Sequence, residues 1–462
     1  MSRVITSKQV LLDDKLVPAR IVISENGKIQ AVEVISGDKA GSNEFSDLPV
    51  TDYGNLAILP GLVDTHVHLN EPGRTDWEGF ETGTKAAASG GVTTVIDMPL
   101  NAIPPTTTVA NLTTKINASK GQTWVDVGFW GGVIPGNEDD LVPLIEAGVK
   151  GFKCFLMESG VDEFPAVDMD DVKKAMTKLN GKKTILMFHA EMDKDPHTGH
   201  SHSHDEPDPT HYDTFLKSRP DSFETTAISE VIKASSTAPD LNLHIVHLAS
   251  AQAVPLVAEA QKKGIKLSAE TCFHYLTLAA EAVPDKATQY KCCPPIRDGA
   301  TQDALWAGIQ ANTIKTIVSD HSPCTPNLKL LESGDFMAAW GGISSVGLGL
   351  VVLWTEVQNH RSSSNITLAD ISRWTSLNTA KQVHLDDTKG SITPGKDADF
   401  CIFDPSAQWT LDQTKLQFKN KLTPYNGRQL TGRVVETVLA GTTIYRHDTG
   451  FTSSTPTGKL LL

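Results

Sequence analysis

Two histidines one residue apart, His66 and His68, sit in the run GLVDTHVHLNEPGRTDWEGFETGT, residues 61–84. The apolar residues Ile58, Leu59, Leu62 and Val63 lead into them, so the run reads as a buried parallel strand. Residues i and i+2 of a strand share a face, so both imidazoles project together from the strand end. Side by side they are poor core material and a good grip on a borderline divalent metal. The competing reading is a pair of hydrogen-bonded core histidines. What separates the two is whether more ligands stand at the ends of other strands.

Such residues follow in order. Lys153 lies in GFKCF, His189 in FHAE, His247 in IVHLAS and Asp320 in VSDHSPC, each at the end of an apolar strand-like run. Burying that many polar groups without a metal would be costly. Lys153 is the odd member, because an ammonium only donates and cannot ligate a cation. A metal nearby favours the neutral amine, which can add carbon dioxide. The resulting carbamate is anionic and could bridge two metals; the alternative is a lysine paired with a carboxylate. Two metals about 3.5–4 Å apart share a water and bring its pKa towards neutrality. That hydroxide can attack a carbonyl carbon, with Asp320 carrying its proton to a leaving nitrogen. The chemistry suits hydrolysis of an unreactive amide.

The elements that position these residues are legible as a repeat. Eight strand-like runs alternate with helix-length segments: ILPGLVDTHVH, then 91–99, 125–132, 151–156, 183–191, 242–250, 265–272 and 315–320. Eight β-α units predict an α/β fold built on a (β/α)8 TIM-like barrel, with its site at the C-terminal strand ends. The barrel is expected over residues 58–388. Residues 1–57 and 389–447 read as short strands and turns, among them a hairpin turn at Glu25-Asn26-Gly27. They predict a small β-sandwich domain built from both chain ends. Residues 37–50 read as a polar loop, and 448–462 as an extended tail.

The chain of 462 residues has an ordinary globular balance, 39% hydrophobic and 21% charged. Its net charge of −14, from 41 basic and 55 acidic side chains, argues against a nucleic-acid partner. No apolar run is long enough for a membrane span, and no secretory signal or peroxisomal address is visible, so a cytoplasmic protein is expected. The six cysteines form no C-x-x-C pair and read as free thiols. The histidine-rich run at 197–213 reads as a solvated loop, with metal binding as the alternative.

The motifs DTHVHLNEPGR, GFKCF, FHAE, IVHLAS and VSDHSPC resemble, in that order, the cyclic-amidohydrolase branch of the amidohydrolase superfamily. The runs EPGRTDWEGFETGT, DMPLNAIPPTTT, ETCFHYL, CCPPIRD, WGGISSVGLGL and PGKDADF are similar to the allantoinases of that branch, the fungal forms most of all. The resemblance covers residues 58–445. It implies two divalent ions, zinc first, with cobalt, manganese or iron as alternatives. It maps their ligands onto His66, His68, N6-carboxylated Lys153, His189, His247 and Asp320, with Asp320 also the catalytic acid and base. It implies opening of the hydantoin ring of allantoin to allantoate, a small-molecule substrate, and a homotetramer. On the substrate side it points to Asn70, where the dihydroorotases have an arginine for a carboxylate, and to Asn101, Ser322, Cys292 and Pro294. An amide such as Asn70 can match a neutral ureido group with a donor and an acceptor. His274 is either a neighbour of the site or a satisfied structural histidine. Cys154, where relatives have a small residue, should point away from Lys153.

Other readings share these residues. A dihydropyrimidinase or hydantoinase would use the same metal chemistry and differ only in its substrate loops. A non-catalytic scaffold of the same family would have lost ligands, and all six are present. A metal store in the histidine-rich run would bind metal without His66 and His68.

Overall fold

The computed structural model describes residues 2–35, 45–193 and 207–462. The N-terminal part supplies β1 (Arg3–Leu12), β2 (Lys15–Ile23), β3 (Ile29–Val34), β4 (Val50–Asp52) and β5 (Ala57–Pro60). The barrel strands follow: β6 (Leu62–Val67), β7 (Val92–Asp97), β8 (Asp126–Phe129), β9 (Gly131–Gly132), β10 (Phe152–Phe155), β11 (Ile185–His189), β12 (Asn242–Ile245), β13 (Leu267–Cys272) and β14 (Thr316–Val318). After a run of helices come β15 (Phe400–Thr410), β16 (Gln429–Leu439), β17 (Thr442–Arg446) and β18 (Gly450–Phe451).

The barrel strands are all parallel and run as two arcs, β6-β7-β8 and β9 to β14. Trp130 separates β8 from β9, and its indole N–H is held by the Thr65 carbonyl at 2.7 Å. The first and last strands meet through a parallel bridge between Val67 and His321. There the His68 amide donates to the His321 carbonyl at 2.8 Å, and Ser319 Oγ donates to the His66 carbonyl at 3.1 Å. Asp64 Oδ1 accepts from the amides of His66 and Ser319, tying both strand ends to one carboxylate. Nearly every residue of these strands is buried, as strands covered on both faces must be.

The covering helices follow the expected apolar period. In helix Met169–Leu179 the buried positions are Val172, Ala175, Met176 and Leu179, one face at spacings of three and four. Asp168 caps it by accepting from the amides of Asp170 and Asp171, both at 2.9 Å. No helix among the described residues is long and apolar enough to cross a membrane.

Both chain ends build one mixed sheet in the order β18-β17-β16-β15-β5-β1-β2-β3, with β4 on β1. Ile5 and Val10 of β1 and Ile21 of β2 meet Phe400 and Ile402 of β15 in one apolar cluster. The expected first strand is divided: Ala57–Pro60 pairs with β1 and β15, and the barrel strand begins only after Gly61. A Cβ on Gly61 would lie 2.1 Å from Thr93 Oγ1, so only glycine fits where the chain passes from sheet to barrel. Lys389 joins the two parts, bonding Asp126 and Asp399 at 2.7 Å each and Asp397 at 3.2 Å. The last residues run extended beside β8, where the Val127 amide donates to the Lys459 carbonyl. All six cysteines are free. The run 36–44 and most of the histidine-rich run, 194–206, lie outside the described residues.

Candidate active site

The six residues singled out at the strand ends come together, and all are buried. His66 belongs to β6 and His68 follows it; Lys153 is in β10; His189 ends β11. His247 and Asp320 each lie two residues beyond their strands, β12 and β14. Both have left-handed backbones, with φ of 38° and 44°. For a non-glycine residue this costs of order 1–2 kcal/mol, strain of a kind that gathers where a side chain must be aimed.

Asp320 Oδ1 lies 3.1 Å from His66 Nε2 and 3.5 Å from His68 Nε2. Lys153 Nζ is 3.1 Å from His66 Nε2, and His189 Nδ1 is 3.0 Å from His247 Nε2. One ligand atom from each of His66, His247 and Asp320 falls within 4.8 Å of the others. His247 Nδ1 is buried and has no hydrogen-bond partner among the described residues. Imidazoles, a carboxylate and an unpaired amine in one buried cluster suit a divalent cation better than they suit each other.

The charges are mutually adjusted. Burial alone would raise the Asp320 carboxyl, but His66 beside it and hydrogen bonds from His66 and His68 hold it well below the ordinary range. Burial and the Lys153 ammonium work against protonating His66, yet Asp320 and Glu270 on either side raise it. Burial lowers His68 to about 4 and His247 well below the ordinary imidazole range, leaving their lone pairs free for a metal. Burial also lowers Lys153, which makes no ion pair among the described residues. A lysine driven towards the neutral amine is the form that can add carbon dioxide.

A second layer of groups escaped the reading of the sequence. Glu270, inside β13, holds His66 Nδ1 at 2.5 Å and His244 Nε2 at 2.9 Å. It thereby turns His66 Nε2 towards the cluster, the way an outer carboxylate fixes a ligating imidazole. Burial would raise Glu270, but His66 and the two imidazole hydrogen bonds bring it down to about 2. Glu191 Oε2 holds His189 Nε2 at 2.7 Å and is itself paired with Arg219. The signal available for Glu270 was a carboxylate inside the strand LSAETC, and for Glu191 the last residue of the FHAE motif.

A cavity of about 250 Å³ opens onto His68, Lys153, His189, His247 and Asp320. Three of the residues expected on the substrate side, Asn101, Ser322 and Cys292, line it. Asn101 Nδ2 lies 3.5 Å from His68 Nδ1, and Ser322 Oγ donates to the Asp320 carbonyl at 2.9 Å. The other two are not brought to its wall. The left-handed backbone of Asn70 (φ 64°) directs its amide to the Pro323 carbonyl at 3.4 Å, and its buried Oδ1 has no hydrogen-bond partner among the described residues. Pro294 turns its carbonyl to the Tyr275 hydroxyl at 2.6 Å. His274 is buried, neither of its ring nitrogens has a hydrogen-bond partner among the described residues, and one of them lies within 4.8 Å of ligand atoms of Asp320 and Cys272. Cys154 faces the Met187 carbonyl, away from the cavity.

The amidohydrolase family model matches residues 57–444. The chain belongs to the amidohydrolase family. Allantoinases are among its relatives there. It is 48% identical to the allantoinase of Saccharomyces cerevisiae, over 99% of this chain and 98% of that one. Identity to the allantoinase of Streptomyces avermitilis is 45%, with the same coverage of both chains. Among solved amidohydrolase-like structures, a dihydropyrimidinase from Brevibacillus agri superposes with a TM-score of 0.87 at 26% identity, covering 100% of this chain and 98% of its own.

Proposed function

We propose that this chain hydrolyses the ring amide of allantoin to give allantoate, a step in the use of purines as a nitrogen source. The observation that carries the reading is full-length similarity to allantoinases at 48% identity, on a chain that retains every ligand-type residue at the strand ends. His66, His68, Lys153 as its carbamate, His189, His247 and Asp320 would hold two divalent ions, zinc first. When bound, such ions supply Lewis-acid polarisation of a carbonyl and ionisation of water at neutral pH.

The chain's own residues do the rest. Asp320, held ionised, accepts the proton of the attacking water and returns it to the ring nitrogen as the C–N bond breaks. Glu270 and Glu191 fix the tautomers of His66 and His189. Asn101 and Ser322 offer amide and hydroxyl groups to the ring. A hydantoinase or dihydropyrimidinase activity is the second reading. It rests on structural likeness at 26% identity, against 48% for the allantoinase relative. A homotetramer and a cytoplasmic location complete the proposal; light scattering and fractionation test them.

The protein, purified with divalent metal and bicarbonate, should consume allantoin in preference to dihydrouracil and dihydroorotate. Undenatured mass should exceed the sequence by one carbon dioxide besides the metals. Turnover of dihydrouracil without allantoin would move the chain to the hydantoinase side.

A further inference from the structure

The same cavity carries a cation that the chemistry above does not use. Lys291 follows the helical turn Thr288–Tyr290, is buried, and lines the cavity. Its ammonium donates to the carbonyls of Met337 at 3.0 Å and Ala339 at 2.5 Å, and sits 5.0 Å over the Phe215 ring. An ammonium has three donors, so one remains. Among the described residues Lys291 makes no ion pair. Of the other charged groups nearby, Arg219 pairs with Glu191, Asp335 Oδ1 accepts from the amides of Met337 and Ala338, and Glu158, which lines the same cavity, is exposed to solvent. Lys329 donates to the carbonyls of Trp340 and Gly342. Burial lowers Lys291 to about 8, which leaves it mostly charged at neutral pH.

A buried cation without a fixed counter-charge is costly unless something else supplies the anion. Ring opening makes one in this cavity. The amide C–N bond breaks and a C–O bond to the water oxygen forms. One water proton goes to the leaving nitrogen, the other dissociates, and a neutral ring becomes a carboxylate; nothing is oxidised or reduced. We propose that Lys291 holds the anionic, ring-opened state, so that it binds the product and the late transition state in preference to the neutral substrate. The inference rests on the functional reading above.

The test uses the metal-loaded holoprotein and allantoate as inhibitor of allantoin turnover. K291Q keeps N–H donors for the loop carbonyls without the charge; K291M is a second neutral variant whose stem still packs on Phe215; K291R keeps the charge. The neutral variants should weaken allantoate inhibition about 10- to 100-fold, the loss of one hydrogen bond to a charged group. Their kcat should fall while KM for allantoin moves less than about threefold, because uniform binding is not what is lost. K291R should stay close to the unmodified protein. Unchanged allantoate inhibition in the neutral variants, or inhibition constant and KM rising by one common factor, overturns the proposal. Absence of allantoin turnover in the unmodified holoprotein defeats the functional reading and this inference with it. Normal turnover with unchanged inhibition in the variants defeats the inference alone.

Discussion

Glu270→Gln isolates what the outer carboxylate contributes. Glu270 is fully buried and accepts on both sides: His66 Nδ1 at 2.5 Å, His244 Nε2 at 2.9 Å, and the His247 amide at 3.3 Å. Glutamine has the same shape with one acceptor oxygen and one NH2. One imidazole must then meet an N–H where it met a carboxylate. If that imidazole is His66, its proton is driven to Nε2, the nitrogen that faces Asp320 and Lys153, and a protonated nitrogen cannot ligate. The loss is one hydrogen bond between charged partners, about 1.5–3 kcal/mol. Expressed as metal affinity this is roughly 10- to 100-fold, the usual range for an outer-layer partner. The assay is competitive metal titration against a chromophoric chelator on stripped, refilled protein, with thermal unfolding of the stripped form alongside. The prediction is a weaker metal affinity with a much smaller change in the unfolding temperature of the metal-free protein. An affinity within about threefold of the unmodified protein would refute the role given to Glu270.

Further outcomes follow from the same contacts. Because Glu270 is held at about 2, below its ordinary 4.5, its contribution to stability is fully present above pH 4.5 and is lost as pH falls towards 2. Glu270→Gln should therefore flatten the acid limb of a plot of unfolding temperature against pH; an unchanged limb would contradict this. Lys389→Met would leave Asp126 and Asp399 buried and unpaired at the join of barrel and sheet, destabilising the fold by about 3–5 kcal/mol in denaturant unfolding. A change below about 1 kcal/mol would show that those carboxylates find other partners.

What the sequence disclosed and what it withheld divide along a physical line. The barrel strands were legible because burial on both faces makes them continuous apolar runs, and the candidate ligands stood out because polar side chains at the ends of such runs are rare. Glu270, His244, Glu191 and Arg219 were not, because their roles depend on which strands lie side by side. The β12–β13 pairing brings His244 to Glu270, and only barrel closure brings Glu270 to His66. Local spacing carries no record of either. The placement of Asn70 was not legible either: its position after His-x-His carries no record of the left-handed backbone that turns its amide to the Pro323 carbonyl. The break between β5 and β6 also lay hidden, since Ile58–Leu59 and Leu62–Val63 are equally apolar and only Gly61 marks the passage from one sheet to the next.

The measurement that tests the account most directly is allantoate formation by metal-loaded protein, unmodified and as Asp320→Asn, at matched metal content. The account predicts steady turnover of allantoin by the unmodified protein and a fall of roughly 10²- to 10⁴-fold in kcat for the asparagine variant, which cannot take the water's proton. No allantoate from the unmodified, metal-loaded protein, or undiminished turnover by the variant, would contradict it.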